Sequence, residues 1–155
     1  MGPERKTIDE LLRESRARLD RLTAEEAHAA AHRGALLVDI RSERQREADG
    51  AVPGALCIPR NVLEWRLDPS SGHQDPSVGG LDRHVVLMCN EGYQSSLAAA
   101  TLQTLGFARA TDVVGGFQAW RDAGLPVVPA RQVLSRNPGA GVSGDRRRDD
   151  SERIC

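Results

Sequence analysis

The chain has 155 residues, 39% of them hydrophobic and 28% charged, which suits one soluble domain with polar ends. Its 21 basic and 22 acidic residues leave a net charge of −1, so there is no electrostatic case for binding nucleic acid or a membrane surface. No apolar run approaches the roughly 18–20 residues that span a bilayer, and the N-terminus, charged from Glu4 onward, lacks the apolar core of a secretory signal. The cysteines Cys57, Cys89 and Cys155 are odd in number and widely spaced. That fits neither a disulfide scaffold nor a zinc site, and points to a reduced, cytoplasmic compartment.

Residues 3–20 place Ile8, Leu11, Leu12 and Leu19 near one helical stripe, and Thr7 stands three residues before Glu10 as in a capping box. They predict an amphipathic helical extension, packed either on the domain or on a partner. A second helix is predicted over Thr23–Arg33, with Thr23 as cap and Gly34 as stop. Ala35–Ile40 and Ala55–Pro59 read as short buried strands. Residues 68–82, rich in Pro, Gly, Ser and Asp, read as a loop. His84–Cys89 is the strongest strand and breaks at Asn90-Glu91-Gly92; Ser95–Leu105 has helical composition. Thr111–Val114 is a fourth strand, and Phe117–Ala123 a short helix stopped by Gly124. Strands alternating with helices predict an α/β domain over residues 21–130 with a largely parallel sheet. Residues 131–155 carry little apolar content and are expected to be disordered, because they cannot offset their ordering entropy by burial.

Cys89 ends a buried strand, ahead of a glycine-bearing turn and a helix start. Such a strand–loop–helix turns backbone N–H groups inward and favours negative charge, so a cysteine at its rim is a candidate nucleophile. The alternative is an inert core thiol. Gly92 lets the loop adopt positive φ and brings backbone close to a ligand.

Three blocks then resemble the single-domain rhodanese family. Leu37-Val38-Asp39-Ile40-Arg41-Ser42 with Val52-Pro53-Gly54-Ala55 is similar to the first signature of that family. Cys89-Asn90-Glu91-Gly92-Tyr93-Gln94-Ser95-Ser96 is similar to its active-site loop C-x-x-G-x-R-S. Gly115-Gly116-Phe117-Gln118-Ala119-Trp120, followed by Gly124-Leu125-Pro126-Val127, is similar to its closing block. The resemblance implies a three-layer α/β domain with a mostly parallel central sheet flanked by helices. It also implies a sulfurtransferase that needs no cofactor. In the implied reaction Cys89 takes the outer sulfur of a donor such as thiosulfate, becomes a persulfide, and passes the sulfur to cyanide or a thiol, or to a protein partner in a sulfur relay. The departures are Gln94 where the family often has Arg, Gly50-Ala51 where it often has Gly-His, and the extra negative charge of Glu91. They weaken the expected pull on a dianion.

The implied substrate-binding set is the loop, Asn90, Glu91, Gly92, Tyr93, Gln94 and Ser95, joined by Arg60, Arg41 and Asp39. Asp39 and Arg41 lie at the sheet edge where ligands bind, and either orient the loop or form a structural ion pair. Arg60 is the first choice for an anion-binding cation and Arg66 the second; the alternative is a solvated helix with Trp65 packed on the core. Tyr93 stacks on an acceptor or shapes the loop. Ser95 and Ser96 read as caps of the following helix, with a hydrogen bond to the bound anion in reach. His28 and His32 have metal-compatible spacing but no evident third ligand. Cys57 reads as core, Cys155 as an exposed thiol, and Arg146–Arg148 as part of a solvated tail. The rival readings are a non-catalytic binding module and, less favoured for want of an arginine in the loop, a cysteine-dependent phosphatase or arsenate reductase.

Overall fold

The computed structural model describes residues 2–130. The expected tail 131–155, with Cys155 and the arginine triplet, lies outside the described residues. The apolar runs form four strands, β1 (Leu36–Asp39), β2 (Leu56–Cys57), β3 (Val85–Met88) and β4 (Thr111–Asp112). They pair in parallel in the order β2-β1-β3-β4. Around them stand α1 (Ile8–Ala17), α2 (Ala24–His32), α3 (Glu43–Asp49), α4 (Leu63–Leu67), α5 (Gln94–Thr104) and α6 (Gly116–Asp122). None of the described helices is long and apolar enough to cross a membrane.

The alternation of side chains along the strands builds the three layers. Leu36, Val38, Val85 and Leu87 point to one face, where Leu63 and Leu67 of α4 and Ala98, Ala99 and Leu102 of α5 cover them. Leu37, Val86 and Met88 point to the other, beneath Ala24 and Ala27 of α2 and Phe117 and Trp120 of α6. Both central strands are buried on both faces, which is why they read as continuous apolar runs. The expected α/β architecture is the one observed.

The capping boxes of Thr7 with Glu10 and Thr23 with Glu26 form as their spacing predicts. Helix α3 was not expected. Its residues, ERQREAD, carry no apolar stripe, and it is started by a third box between Ser42 and Gln45. The stretch after β2 is a 3₁₀ turn, Arg60–Val62, running into α4, and Trp65 is 57% exposed there. Trp65 therefore does not pack on the core as one reading supposed.

Helix α1 lies along α5, but only part of its apolar stripe is used. Ile8 and Leu11 are exposed, Leu12 is half-buried, Leu19 just past the helix packs against the core, and the only buried residue of the helix is Ser15. Polar bonds add to this. Arg18 donates to the Ala100 carbonyl and the Thr104 hydroxyl, and the Gln103 amide donates back to the Arg18 carbonyl. The chain then runs beside β4: Leu22 N–H donates to the Asp112 carbonyl and Val114 N–H to the Leu22 carbonyl, a parallel bridge between Leu22 and Val113.

Asp39 and Arg41 form a fully buried pair, Nη2 to Oδ2 2.8 Å, with the Arg41 backbone N–H also on Oδ1. A second bond runs from Nη2 to the Gly50 carbonyl, and the guanidinium lies 3.7 Å from the centre of the Phe117 ring. Removing one member of such a pair strands a charge in the core. Arg41→Met is expected to cost about 3–5 kcal/mol in urea unfolding, and Arg41→Met with Asp39→Leu to recover most of it. A cost below about 1 kcal/mol for the single change would show that water reaches Asp39.

Candidate active site

The sheet order sets the location of the site. From β1 the chain crosses to β2 on one side; from β3 it crosses through α5 to β4 on the other. The C-terminal ends of β1 and β3 therefore flank a topological switch point, where open α/β sheets bind ligands. Cys89 is the residue that follows β3 at this point, and it is 2% exposed.

The loop after Cys89 is held from below by the third sequence block. Phe117 N–H donates to the Cys89 carbonyl (2.8 Å) and Gln118 N–H to the Asn90 carbonyl (3.1 Å). Glycine is required for this approach: a Cβ on Gly116 would stand 2.4 Å from the Cys89 carbonyl oxygen. Gly92 has φ of +86°, and a Cβ there would meet the Gly115 nitrogen at 2.7 Å. The two blocks thus interlock through backbone alone.

That interlock aims one donor at the sulfur. Gly92 N–H lies 3.1 Å from Cys89 Sγ, and Ser95 Oγ lies 3.2 Å from it. Ser95 in turn donates to Asp112 Oδ2 at 2.7 Å, and Ser96 donates to the same oxygen at 2.8 Å. A seryl hydroxyl has a single proton. While Ser95 gives its proton to Asp112, its oxygen accepts from the Cys89 thiol. When the sulfur is anionic the Ser95 proton can turn to it, because Ser96 still serves Asp112. The expected capping role of Ser95 and Ser96 does not hold: α5 begins at Tyr93 without a side-chain cap, and both hydroxyls point inward to Asp112.

Asp112 has no solvent exposure, and its counter-ion is Arg21, with Nε on Oδ1 at 2.8 Å and Nη2 on Oδ2 at 3.2 Å. The same Nη2 donates to the Gly92 carbonyl (3.0 Å). Arg16 joins it there through its own Nη2 (2.7 Å), places Nε on Ser96 Oγ (3.1 Å), and lies 5.4 Å from the centre of the Tyr93 ring.

The substrate-site candidates named from sequence divide into four groups. Cys89, Gly92 and Ser95 meet at the sulfur. Glu91, Tyr93 and Gln94 are exposed on the loop, and Asn90 is half-buried beside them. Asp39 and Arg41 are committed to each other inside the fold, and they sit as a structural pair. Arg60 is on the same edge of the sheet but is paired with Glu64. His28 and His32 stand with Nε2 atoms 3.0 Å apart beside Trp120, and among the described residues no cluster of three metal-type ligands occurs. Sequence reasoning missed Asp112, Arg16 and Arg21. An aspartate next to Val113 and Val114 in a predicted strand was a signal for the first, since a buried carboxylate needs partners. The arginines gave none, because their contacts span 71 to 91 residues of sequence.

Residues 23–123 match the model of the rhodanese-like domain. The chain belongs to the rhodanese-like family. Among curated relatives, a sulfurtransferase of Allochromatium vinosum is 37% identical over 60% of this chain and 78% of its own length. A thiosulfate sulfurtransferase, GlpE, of Stutzerimonas stutzeri is 33% identical over 65% of this chain and 84% of its own. A solved structure from Rhodopseudomonas palustris, of unknown function and described as a possible tyrosine phosphatase, superposes with a TM-score of 0.74. It is 34% identical, covering 83% of this chain and 98% of its own.

Gly92→Ala tests whether the rhodanese-like loop needs its backbone interlock. The positive φ and the contact with Gly115 predict a loss of about 2 kcal/mol in stability. Because the displaced N–H no longer meets Sγ, labelling of Cys89 by iodoacetamide at neutral pH should slow markedly. Unchanged labelling would mean that the Gly92 N–H does not govern the sulfur.

Proposed function

We propose that this rhodanese-like protein is a sulfurtransferase that works through a persulfide on Cys89. The observation that carries the reading is the sulfur at the switch point with Gly92 N–H and Ser95 Oγ on it, and the sulfurtransferase relatives support it. The Cys89 thiolate attacks the outer sulfur of thiosulfate. An S–S bond forms to Sγ, the bond from that sulfur to the sulfonate breaks, and its electron pair leaves with sulfite. Cyanide or a thiolate then attacks the outer sulfur, giving thiocyanate or a new persulfide and restoring the Cys89 thiolate. Charge balances in both steps, and no redox cofactor enters.

Gly92 N–H and the turned Ser95 hydroxyl stabilise the anionic sulfur, the usual use of preorganised donors at developing charge. Arg60 stands at the edge as an anion-attracting residue whose charge Glu64 partly cancels. Glu91 is exposed on the loop and opposes a dianion. Glu91→Ser should therefore lower KM for thiosulfate, and an unchanged KM would remove Glu91 from the substrate path.

The description of the Rhodopseudomonas structure raises phosphatase activity as a second reading. An oxyanion is best clamped by a bidentate arginine, and the loop from Cys89 to Ser96 has none. The two nearby guanidiniums are already spent on Asp112, Ser96 and the Gly92 carbonyl. Turnover of an aryl phosphate would favour that reading.

Intact-protein mass spectrometry after incubation with thiosulfate, without reductant, decides the main proposal. Wild type should gain one sulfur, about 32 Da, and lose it to cyanide or a thiol; Cys89→Ser should gain nothing. An adduct from a persulfide donor but not from thiosulfate would keep the mechanism and change the donor. No adduct from any donor would leave a binding module.

A further inference from the structure

The cysteine loop carries the charge of Glu91 and no cation of its own between Cys89 and Ser96. Both guanidiniums that reach it, Arg16 and Arg21, precede the segment that matches the family, which begins at residue 23. We infer that Arg16 and Arg21 are positioning residues of the Cys89 site, so that the N-terminal segment is part of the active centre. This rests on Cys89 being the nucleophile.

Two independent contacts carry the inference. The first is mechanical. The Gly92 carbonyl accepts from Arg16 (2.7 Å) and Arg21 (3.0 Å), while the N–H of the same residue donates to Sγ. Gly115 blocks Gly92 from the other side. That carbonyl belongs to the peptide plane following the one that carries the N–H, so the arginines anchor Gly92 one φ/ψ pair away from the donor and limit how far it can move off Sγ. The second contact is electrostatic. Asp112 is a buried carboxylate separated from Sγ by the Ser95 hydroxyl alone. Uncompensated, it would repel an anionic sulfur, whether thiolate or persulfide, and would hold the Ser95 proton away from it. Arg21 cancels that charge with a two-point fork, and so frees Ser95 to serve the sulfur.

The other charges around Cys89 do not substitute for this pair. From β1 comes the Asp39–Arg41 pair, neutral as a unit. On the loop is Glu91, exposed. Buried Arg46 donates to the Arg41 carbonyl on the β1 side, and Arg60 at the sheet edge is paired with Glu64; Arg16, Arg21 and Asp112 are the charged groups bonded to Gly92, Ser95 and Ser96. The register of the segment is also fixed: Thr111 Oγ1 donates to the Asp20 carbonyl and Leu22 bonds to the Asp112 carbonyl. Arg21 is held between these two backbone bonds, directly over its carboxylate.

The test is the pH profile of iodoacetamide labelling at Cys89, followed on the Cys89 peptide by mass spectrometry, with the full chain. Arg21→Gln should move the profile to higher pH and slow labelling near neutral pH several-fold, because it leaves the Asp112 charge uncompensated beside the sulfur. Adding Asp112→Asn to it should bring the midpoint back. Arg13→Gln, an exposed change on α1, should leave the profile at wild type. Arg16→Gln should slow sulfur loading from thiosulfate by about threefold with KM unchanged, since it loosens Gly92 and Ser96 while leaving the Arg21–Asp112 ion pair in place. A wild-type profile in folded Arg21→Gln would overturn the inference. So would failure of Asp112→Asn to bring the midpoint back. Should Arg21→Gln not fold, Asp112→Asn alone reads the same coupling: with Arg21 unopposed the midpoint falls, and an unmoved midpoint overturns the inference. A wild type that shows this labelling behaviour but never takes up sulfur would instead refute the persulfide reading.

Discussion

Asp112 is a carboxylate with no contact to solvent, and its four hydrogen bonds come from Arg21, Ser95 and Ser96. A buried charge is tolerated only when it is paired and its lone pairs are satisfied. Satisfying this one draws together three parts of the chain that are remote in sequence. These are the stretch after α1, the first turn of α5 and the end of β4. The cysteine loop is suspended between them. Its lower side rests on Gly115 and Gly116 and its upper side on two guanidiniums. The position of the Gly92 N–H is a consequence of these constraints and not of the loop sequence alone.

The fold contains a second buried aspartate–arginine pair, and the comparison shows what separates scaffold from site. Asp39 and Arg41 are two residues apart, fully enclosed, and bonded to Gly50 and Phe117. Their partners are inert, so the pair tethers the end of β1 to the turn at Gly50. Asp112 and Arg21 are 91 residues apart, and their remaining bonds lead to groups that face the sulfur. Both pairs bear a desolvation cost, the larger one falling on the fully enclosed Asp39–Arg41. Only the second places its charge balance one hydroxyl away from the Cys89 sulfur. A carboxylate near an anionic sulfur is unfavourable by itself, so its retention makes sense only with the arginine beside it.

The two central strands were legible because each is a short apolar run, β1 entered soon after Gly34 and β3 ending just before the loop that reaches Gly92. With two covered faces, periodicity carried no information, and composition carried it all. The helices were legible where a threonine cap and an alanine-rich body coincide, as in α2, and illegible where neither signal exists. Helix α3 is almost wholly charged, and what starts it is the bond between Ser42 and Gln45, a local feature that hydrophobic pattern does not reveal. In the site, the meeting of Cys89 and Gly92 was legible because strand–turn–helix order brings a glycine N–H back onto the residue that ends the strand. Ser95 and Ser96 were misread as caps. At a helix start a serine either bonds its own backbone or reaches inward, and only the depth of Asp112 decides between the two. Arg16 and Arg21 were invisible among many arginines, because nothing local distinguishes a guanidinium in solution from one that crosses to another element.

The depth of Cys89 bears on how sulfur would pass through such a site. With 2% of the residue exposed, Sγ itself offers little room for a bulky acceptor. A persulfide adds a sulfur about 2 Å further out. On the proposed persulfide route the reactive atom would then stand off the buried Sγ, so loading and unloading would meet different surroundings. A small donor would have to reach the buried thiolate, whereas an acceptor would meet an outer sulfur. Burial of Cys89 would thus be compatible with transfer, because the intermediate would carry the reactive atom away from Sγ.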